Sequence, residues 1–212
     1  MGVEEELSRL ALQRETVLTI GTFDGVHLGH QHLIGRVREK AVEGRFLGGV
    51  VTFDRHPRLV LGPETCLTYL TGLEERAELI RSLGIDFVVV LPFTPELATM
   101  SAGDFVSALK EHLRMRCMVI GPGFALGRGR GGDESTLQAL GEELDFTVEV
   151  VSPMTINGDM VSSTSIRNAL STGDMARVRR FLGRPFTLDG LVASGVERGR
   201  GLGFPTANLA VD

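Results

Sequence analysis

The chain has 212 residues, of which 42% are apolar and 23% charged, and its formal net charge is −5. This composition is typical of a globular protein, and the acidic balance argues against nonspecific binding to nucleic acid. No apolar run approaches the ~20 residues that cross a bilayer, and residues 1–14 are charged and helix-like, so we expect no membrane partner and a cytoplasmic location. Cys66 and Cys117 stand far apart, which predicts neither a disulfide nor a cysteine-ligated metal. Cys117 is expected to lie in a buried strand.

Short apolar runs alternate with amphipathic segments along most of the chain. We predict strands at 17–20, 49–53, 87–91, 118–120 and 146–151, and helices at about 30–42, 73–83, 102–114 and 135–144. This alternation indicates an α/β fold with a doubly wound parallel sheet. Such sheets bind their ligands at the carboxyl ends of the strands.

The pattern changes after residue 162. Two helices are predicted at 164–170 and 174–182, and only strands and turns follow, with no helical period. We therefore divide the chain into a first domain at 1–185 and the incomplete start of a second domain at 186–212.

Residues 21–30 carry the most informative motif, because they run from the first strand through a glycine-rich turn into a helix. His27 and His30 lie at the start of this helix, and Gly29 between them has no side chain to keep a ligand away from the backbone. A helix N-terminus is a natural phosphate site. The His-x-Gly-His pattern resembles the signature of nucleotidylyl transferases, which attack the α-phosphate of a nucleoside triphosphate. The alternative is a helix start that merely carries polar histidines.

Three further segments would lie at the same sheet edge. Residues 53–57 come at the end of the second strand and include His56. His56 either lines the ligand site or is simply a hydrogen-bonded histidine of a turn. Residues 121–133 hold six glycines and two arginines and form either a mobile cationic loop that closes over phosphates or a plain surface loop. Residues 162–167 open a helix with hydroxyl side chains and an arginine, which suits either phosphate binding or simple N-capping.

Together these segments resemble the prokaryotic bifunctional riboflavin kinase/FMN adenylyltransferase family, also called FAD synthetase. The resemblance covers nearly the whole chain and rests on residues 21–31, 52–57, 162–167, 182–186 and 201–209. It implies a Rossmann-like nucleotidylyl transferase domain, followed by part of a kinase β-barrel.

The resemblance also implies roles for individual residues. The FMN phosphate would attack the ATP α-phosphorus and release pyrophosphate, with no covalent enzyme intermediate. His27 and His30 would neutralise charge at the α-phosphate, and Ser163, Thr164 and Arg167 would hold the departing pyrophosphate. His27, His30 and Arg167 are thus the implied catalytic residues. The implied ATP-binding residues are Gly21, Phe23, Asp24, Gly29, His30, Ser163, Thr164 and Arg167, and the implied flavin-binding residues are Phe53, His56, Pro57 and Phe124.

The resemblance further implies that Mg²⁺ bridges the ATP phosphates, and no protein ligand is assigned to it. Thr206 and Asn208 match the magnesium–nucleotide motif of the kinase barrel. A barrel needs all of its strands, so we expect no riboflavin kinase activity from this chain, although a longer form would phosphorylate riboflavin to FMN. The oligomeric state is left open, a weak homo-oligomer included.

The chain departs from the family at several positions. Arg55 stands where the family usually has proline, and Gly123, Ala125 and Leu126 replace more polar or aromatic loop residues. Two other hypotheses stay open, the first opposed by the motifs at 182–209 and the second suggested by the altered loop. One is a related adenylyltransferase with a pantetheine or nicotinamide phosphate acceptor, and the other is a nonenzymatic flavin- or nucleotide-binding module.

Overall fold

The computed structural model describes residues 3–62, 68–193, 198–201, 203–204 and 206–210. Cys66, Leu202 and Pro205, which enter the sequence-based expectations, lie outside these residues. None of the described helices is long and apolar enough to cross a membrane.

A five-stranded parallel sheet forms the centre of the molecule. Its strands are β1 (Thr16–Ile20), β2 (Leu47–Phe53), β3 (Phe87–Leu91), β4 (Met115–Ile120) and β5 (Thr147–Val150), in the order β3-β2-β1-β4-β5. All five residues of β1 are buried, as expected for a strand covered on both faces. The predicted strands and the predicted α/β fold are confirmed.

Helices cover both faces of this sheet. They are α1 (Val3–Ser8), α2 (Leu28–Gly44), α3 (Pro57–Leu61), α4 (Leu73–Ser82), α5 (Pro95–Thr99), α6 (Ala102–Leu113), α7 (Glu134–Leu144), α8 (Ser163–Ser171) and α9 (Met175–Leu182). Successive strand residues point to opposite faces, so Val17 shares a buried cluster with Ile34 of α2, while Leu18 shares another with Leu109 of α6. Cys117 is buried in β4, as predicted.

Local signals explain where the helices begin. Ser101 caps α6 by accepting a hydrogen bond from the Asp104 N–H at 3.1 Å. The short helices α1, α3 and α5 carry too few residues to leave a periodic pattern. A separate cluster of buried apolar side chains joins α8 and α9 to Leu70.

The chain order fixes where a ligand can bind. From β1 the chain passes to β2 on one side, whereas β4 pairs with β1 on the other side. The loops after β1 and β4 therefore diverge and leave a crevice at the carboxyl edge of the sheet.

The last segment differs in one respect from the sequence-based expectation. A short hairpin precedes α8; its strands, of two residues each, are β6 (Thr155–Ile156) and β7 (Asp159–Met160). A second hairpin, after α9, pairs β8 (Leu191–Ala193) with β9 (Asn208–Ala210). Between β8 and β9 lies the helical turn α10 (Arg198–Gly201), although the sequence predicts no helix there. The expectation was wrong because one helical turn is too short to show a 3.6-residue period. The domain division at residue 185 stays a prediction.

Candidate active site

A cleft of about 1270 Å³ opens at the carboxyl edge of the sheet. It brings together all of the residues predicted to bind ATP or flavin, although they come from four separate segments. Thr206 is not among its lining residues, and Asn208 lies in the exposed hairpin strand β9. The lining residues predicted from sequence are Gly21, Phe23, Asp24, His27, Gly29, His30, Phe53, His56, Pro57, Phe124, Ser163, Thr164 and Arg167.

The loop between β1 and α2 has a strained backbone. Phe23 has φ of 51° and Val26 has φ of 37°, which are rare values for an aromatic and a β-branched residue. Hydrogen bonds hold the loop in this shape: the Gly25 N–H donates to Thr71 Oγ1 at 3.1 Å, and Arg184 Nη1 donates to the Gly25 carbonyl at 3.0 Å. Strain that is held in place in this way is common at functional sites.

His27 and His30 form one stacked pair at the start of α2. Their ring centroids are 3.6 Å apart, with an angle of 18° between the rings. His27 is the N-cap residue, and its Nδ1 accepts the His30 N–H at 3.2 Å. Because Nδ1 accepts, the neutral His27 ring carries its proton on Nε2. A Cβ on Gly29 would lie 3.2 Å from the His27 ring, so the glycine allows this close packing.

Burial keeps both imidazoles uncharged at neutral pH. It lowers the pKa of His27 to about 4. Burial also lowers the pKa of His30 well below its usual value, and electrostatic interactions with His27 and Arg76 lower it further. The pair therefore offers neutral hydrogen-bonding nitrogens. His30 Nδ1 is buried without a hydrogen-bond partner among the described residues.

The depressed pKa of His27 predicts a pH-dependent stability. The unfolded chain binds a proton at this histidine below about pH 6.5, whereas the folded protein binds it only below about pH 4. The unfolded state thus binds more protons in this window, so the free energy of unfolding falls as pH falls, by up to about 3 kcal/mol for this group. Urea unfolding at about pH 7 and pH 4.5 should show that His27→Asn flattens this dependence. The His32→Asn variant, exposed on the same helix, should keep it.

Asp24 connects three parts of the site. Its Oδ1 accepts the N–H groups of Leu70 at 2.9 Å and Thr71 at 3.2 Å, and its Oδ2 forms an ion pair with Arg167 Nη2. The side chain of Asp24 is only 3% exposed. Arg167 also donates from Nε to the Thr68 carbonyl at 2.8 Å. The predicted phosphate clamp is thus anchored from behind by a buried carboxylate.

The start of α8 lies beside this ion pair. Ser162 caps the helix by accepting the Ser165 N–H at 3.1 Å, so the capping alternative holds for this residue. Ser163 Oγ donates to the Asp24 carbonyl at 2.9 Å and ties α8 to the loop after β1. Ser163 and Thr164 line the cleft at the positive end of the helix dipole.

The turn after β2 forms an apolar wall with one polar group. Phe53 and Phe93 meet edge to face, with their centroids 5.2 Å apart. His56 caps α3 through Nδ1, which accepts the Arg58 N–H at 3.1 Å. The backbone N–H of His56 donates to Tyr69 Oη at 2.6 Å. His56 is therefore a satisfied turn histidine that also lines the cleft.

The glycine-rich loop after β4 is pinned at several points. Leu126 bridges to Gly132, and Arg130 Nη2 donates to the Gly123 carbonyl at 2.9 Å. The sequence left open a mobile cationic loop or a plain surface loop; in this structure Arg130 bonds to the loop itself. Gly123, Ala125 and Leu126 line the cleft without offering a polar side chain.

Arg55 lies outside the cleft. Its side chain is 71% exposed, its Nε is 3.8 Å from Asp54 Oδ2, and it is not among the residues that line the cleft. Sequence reasoning also missed residues that support the site from behind, above all the buried Arg76. A single arginine in an amphipathic helix normally faces solvent, so the sequence contains no signal for its burial.

Comparisons with known proteins identify the family to which this chain is similar. A family model described as FAD synthetase matches residues 10–165, and one described as riboflavin kinase matches residues 182–212. The bifunctional riboflavin kinase/FMN adenylyltransferase of Pseudomonas fluorescens is 41% identical over 92% of this chain and 63% of its own length. The enzyme of the same name from Escherichia coli K12 is 36% identical over 94% of this chain and 64% of its own.

A solved structure has the same fold. It is described as a macrolide-efflux protein from Streptococcus pneumoniae, and its TM-score is 0.85 at 27% identity, over 94% of this chain and 65% of that one. The chain thus spans less than two thirds of the length of these relatives.

Proposed function

This chain belongs to the FAD synthetase family, and we propose that it is an FMN adenylyltransferase. A phosphate oxygen of FMN attacks the α-phosphorus of ATP, the bond to the bridging oxygen of pyrophosphate breaks, and FAD and pyrophosphate leave. The observation that carries the proposal is the meeting of the stacked imidazole pair and Arg167 in one cleft at a helix N-terminus. The domain at 1–185 would perform this reaction.

His27 and His30 act on the α-phosphate in this proposal. Charge builds on its non-bridging oxygens as the new bond forms, and positioned hydrogen-bond donors stabilise that charge. The His27 tautomer places an N–H on Nε2, away from the nitrogen that caps α2. Neutral donors stabilise developing charge without a proton transfer to the phosphate.

Arg167 and the start of α8 hold the departing pyrophosphate. The Arg167 side chain is 22% exposed, and its anchors to Asp24 and Thr68 fix the plane of the guanidinium before the nucleotide arrives. Such preorganisation lowers the entropy cost of binding. Asp24 then acts through Arg167 rather than as a direct ligand of ATP, since both of its carboxylate oxygens are occupied.

The flavin ring lies against the aromatic wall in this proposal. Phe53, Pro57 and Phe124 offer apolar surface, and a fused ring system gains from such stacking contacts. His56 supplies a polar contact on the same side.

Mg²⁺ fits this site as a partner of the ATP phosphates. No group of three or more histidine, cysteine, aspartate or glutamate residues that could hold a metal occurs in the described ranges. Phosphate oxygens would therefore provide most of its ligands, which is a common arrangement for this ion. The metal would supply positive charge at the transferred phosphate.

One assay tests the proposal. Protein is incubated with ATP and Mg²⁺ and with FMN, riboflavin, phosphopantetheine or nicotinamide mononucleotide, and pyrophosphate and dinucleotide are measured together. We expect equal amounts of FAD and pyrophosphate with FMN and neither product with riboflavin, which lacks the attacking phosphate. Turnover with another phosphate would select a different acceptor.

The loop at 123–126 leaves one alternative function for the assay to decide, a module that binds flavin or nucleotide without catalysis. Gly123, Ala125 and Leu126 offer no polar side chain to a ligand, which favours weaker binding or a module that binds without catalysis. Flavin or ATP binding without pyrophosphate release would support that alternative. Thr206 and Asn208 stay predictions for a kinase site.

A further inference from the structure

Three successive carbonyl groups in the strained loop between β1 and α2 each accept a hydrogen bond from a side chain. The donors come from three separate parts of the chain. The pairs are Ser163 Oγ with Asp24 at 2.9 Å, Arg184 Nη1 with Gly25 at 3.0 Å, and Gln31 Nε2 with Val26 at 2.9 Å. His27 follows this loop directly as the N-cap of α2, so the path of the loop decides where the first imidazole lies.

The end of α9 meets the same loop. The last carbonyls of a helix have no partner within that helix. The carbonyl of Leu182, at the end of α9, accepts a hydrogen bond from Gln31 Nε2 at 3.0 Å, in addition to the bond that Gln31 gives to Val26. Both partners are acceptors, so both amide protons of Gln31 are used. Gly183 then turns the chain with φ of 73°, and a Cβ there would lie 2.7 Å from Leu28.

Residues 182–187 form the junction between α9 and the predicted second domain at 186–212. Arg184 in this junction is half-buried. Thr187 Oγ1 donates to Glu75 Oε1 at 2.7 Å, so the junction is also bonded to α4. None of these six residues is among those that line the cleft. Any influence of the junction on a ligand must therefore pass through the loop that it supports.

We propose that Arg184 and Gln31 are positioning residues that hold the loop at 23–26 in its strained shape and thereby place His27. The positive φ values of Phe23 and Val26 are costly, and such strain persists only where the surroundings compensate for it. Removing either donor lets the loop relax, and His27 moves with it. The effect on turnover rests on the proposed adenylyltransferase function, whereas the effect on the loop does not.

Hydrogen exchange tests the effect on the loop. The N–H of Val26 donates to the Phe23 carbonyl at 3.0 Å, and the N–H of His30 donates to His27 Nδ1 at 3.2 Å, so both report on the loop's shape. In Arg184→Met and in Gln31→Met, both amides should exchange about 10-fold faster than in wild type. The amides of β4 should exchange at the wild-type rate, which shows that the sheet is intact.

Two further variants act as controls for the exchange experiment. Arg184→Lys keeps a charged donor at this position and should recover most of the slow exchange. Arg180→Met removes an exposed arginine of α9 and should match wild type. If Arg184→Met does not fold, Gln31→Met carries the test, because it removes a neutral donor to the same loop.

FAD formation by the same proteins tests the effect on catalysis. The kcat/KM for ATP should fall at least about 10-fold in Arg184→Met and Gln31→Met, because a small displacement of a catalytic group is costly. Arg184→Lys should recover most of this loss, and Arg180→Met should show none.

The proposal is overturned if the loop amides of the folded methionine variants exchange at the wild-type rate. It is equally overturned if exchange is faster but kcat/KM stays at the wild-type value, or if Arg184→Lys loses as much as Arg184→Met, which would leave only a packing role. Faster exchange in variants of a wild-type protein that itself forms no FAD would instead contradict the proposed function. The positioning of the loop by Arg184 and Gln31 would then still stand.

Discussion

Replacing His27 with asparagine is expected to lower the kcat of FAD formation about 100-fold while leaving the fold stable. The loss follows from removing one positioned donor at the α-phosphate, which typically costs 10²–10³ in rate. Asparagine is a good N-cap, so it can still accept the His30 N–H and keep the start of α2 intact. The measurement is steady-state FAD formation at saturating ATP and FMN.

His27→Ala separates the two roles of this side chain. It removes both the donor and the cap, so it should match the low kcat of His27→Asn and lose about 1 kcal/mol of stability in addition. His30→Gln should lower kcat to a similar extent. Wild-type turnover in both His27→Asn and His30→Gln would remove the imidazole pair from the mechanism.

The second large effect is expected from Arg167→Met. This change leaves the Asp24 carboxylate buried without its cation, which should lower the free energy of unfolding by about 3 kcal/mol. It should also raise the KM for ATP at least about 10-fold, because the pyrophosphate loses a charge-assisted partner. Denaturant unfolding and ATP saturation curves measure the two effects separately.

The double variant Asp24→Asn/Arg167→Met tests this assignment. Removing the buried charge together with its partner should restore part of the stability, while ATP binding stays weak. Arg116→Met, in an exposed ion pair with Asp145, should leave the KM for ATP unchanged. If Arg167→Met binds ATP normally, the arginine serves only to neutralise Asp24.

The sequence predicted the framework of the site because its signals are local. Apolar runs and capping residues identify the five strands of the sheet and the longer helices, and the carboxyl edge of a parallel sheet brings the loops that follow its strands together. The stacked histidines lie three positions apart in one motif at the start of a helix, so their proximity in space follows from their proximity in sequence.

The supporting layer could not be predicted in this way. Leu70 and Thr71, which donate to Asp24, lie 46 and 47 residues further along the chain. No sequence pattern near Asp24 or near these two residues predicts the contact. The burial of Arg76 depends on how α4 packs against the sheet, which is a property of the tertiary structure. Side chains that act from behind the cleft thus become visible only after the elements are assembled.

The segment at 68–71 has a consequence for how the two proposed substrates would bind. It is bonded to the nucleotide side through Asp24 and Arg167, and to the turn of His56 through Tyr69. In the proposed reaction, a contact between one reactant and this fixed guanidinium also stabilises the segment that supports the wall for the other reactant. Thermodynamic reciprocity then requires each reactant to change the affinity of its companion by the same factor. Cooperativity of this kind needs no domain movement, only a short segment that is hydrogen-bonded to both binding regions.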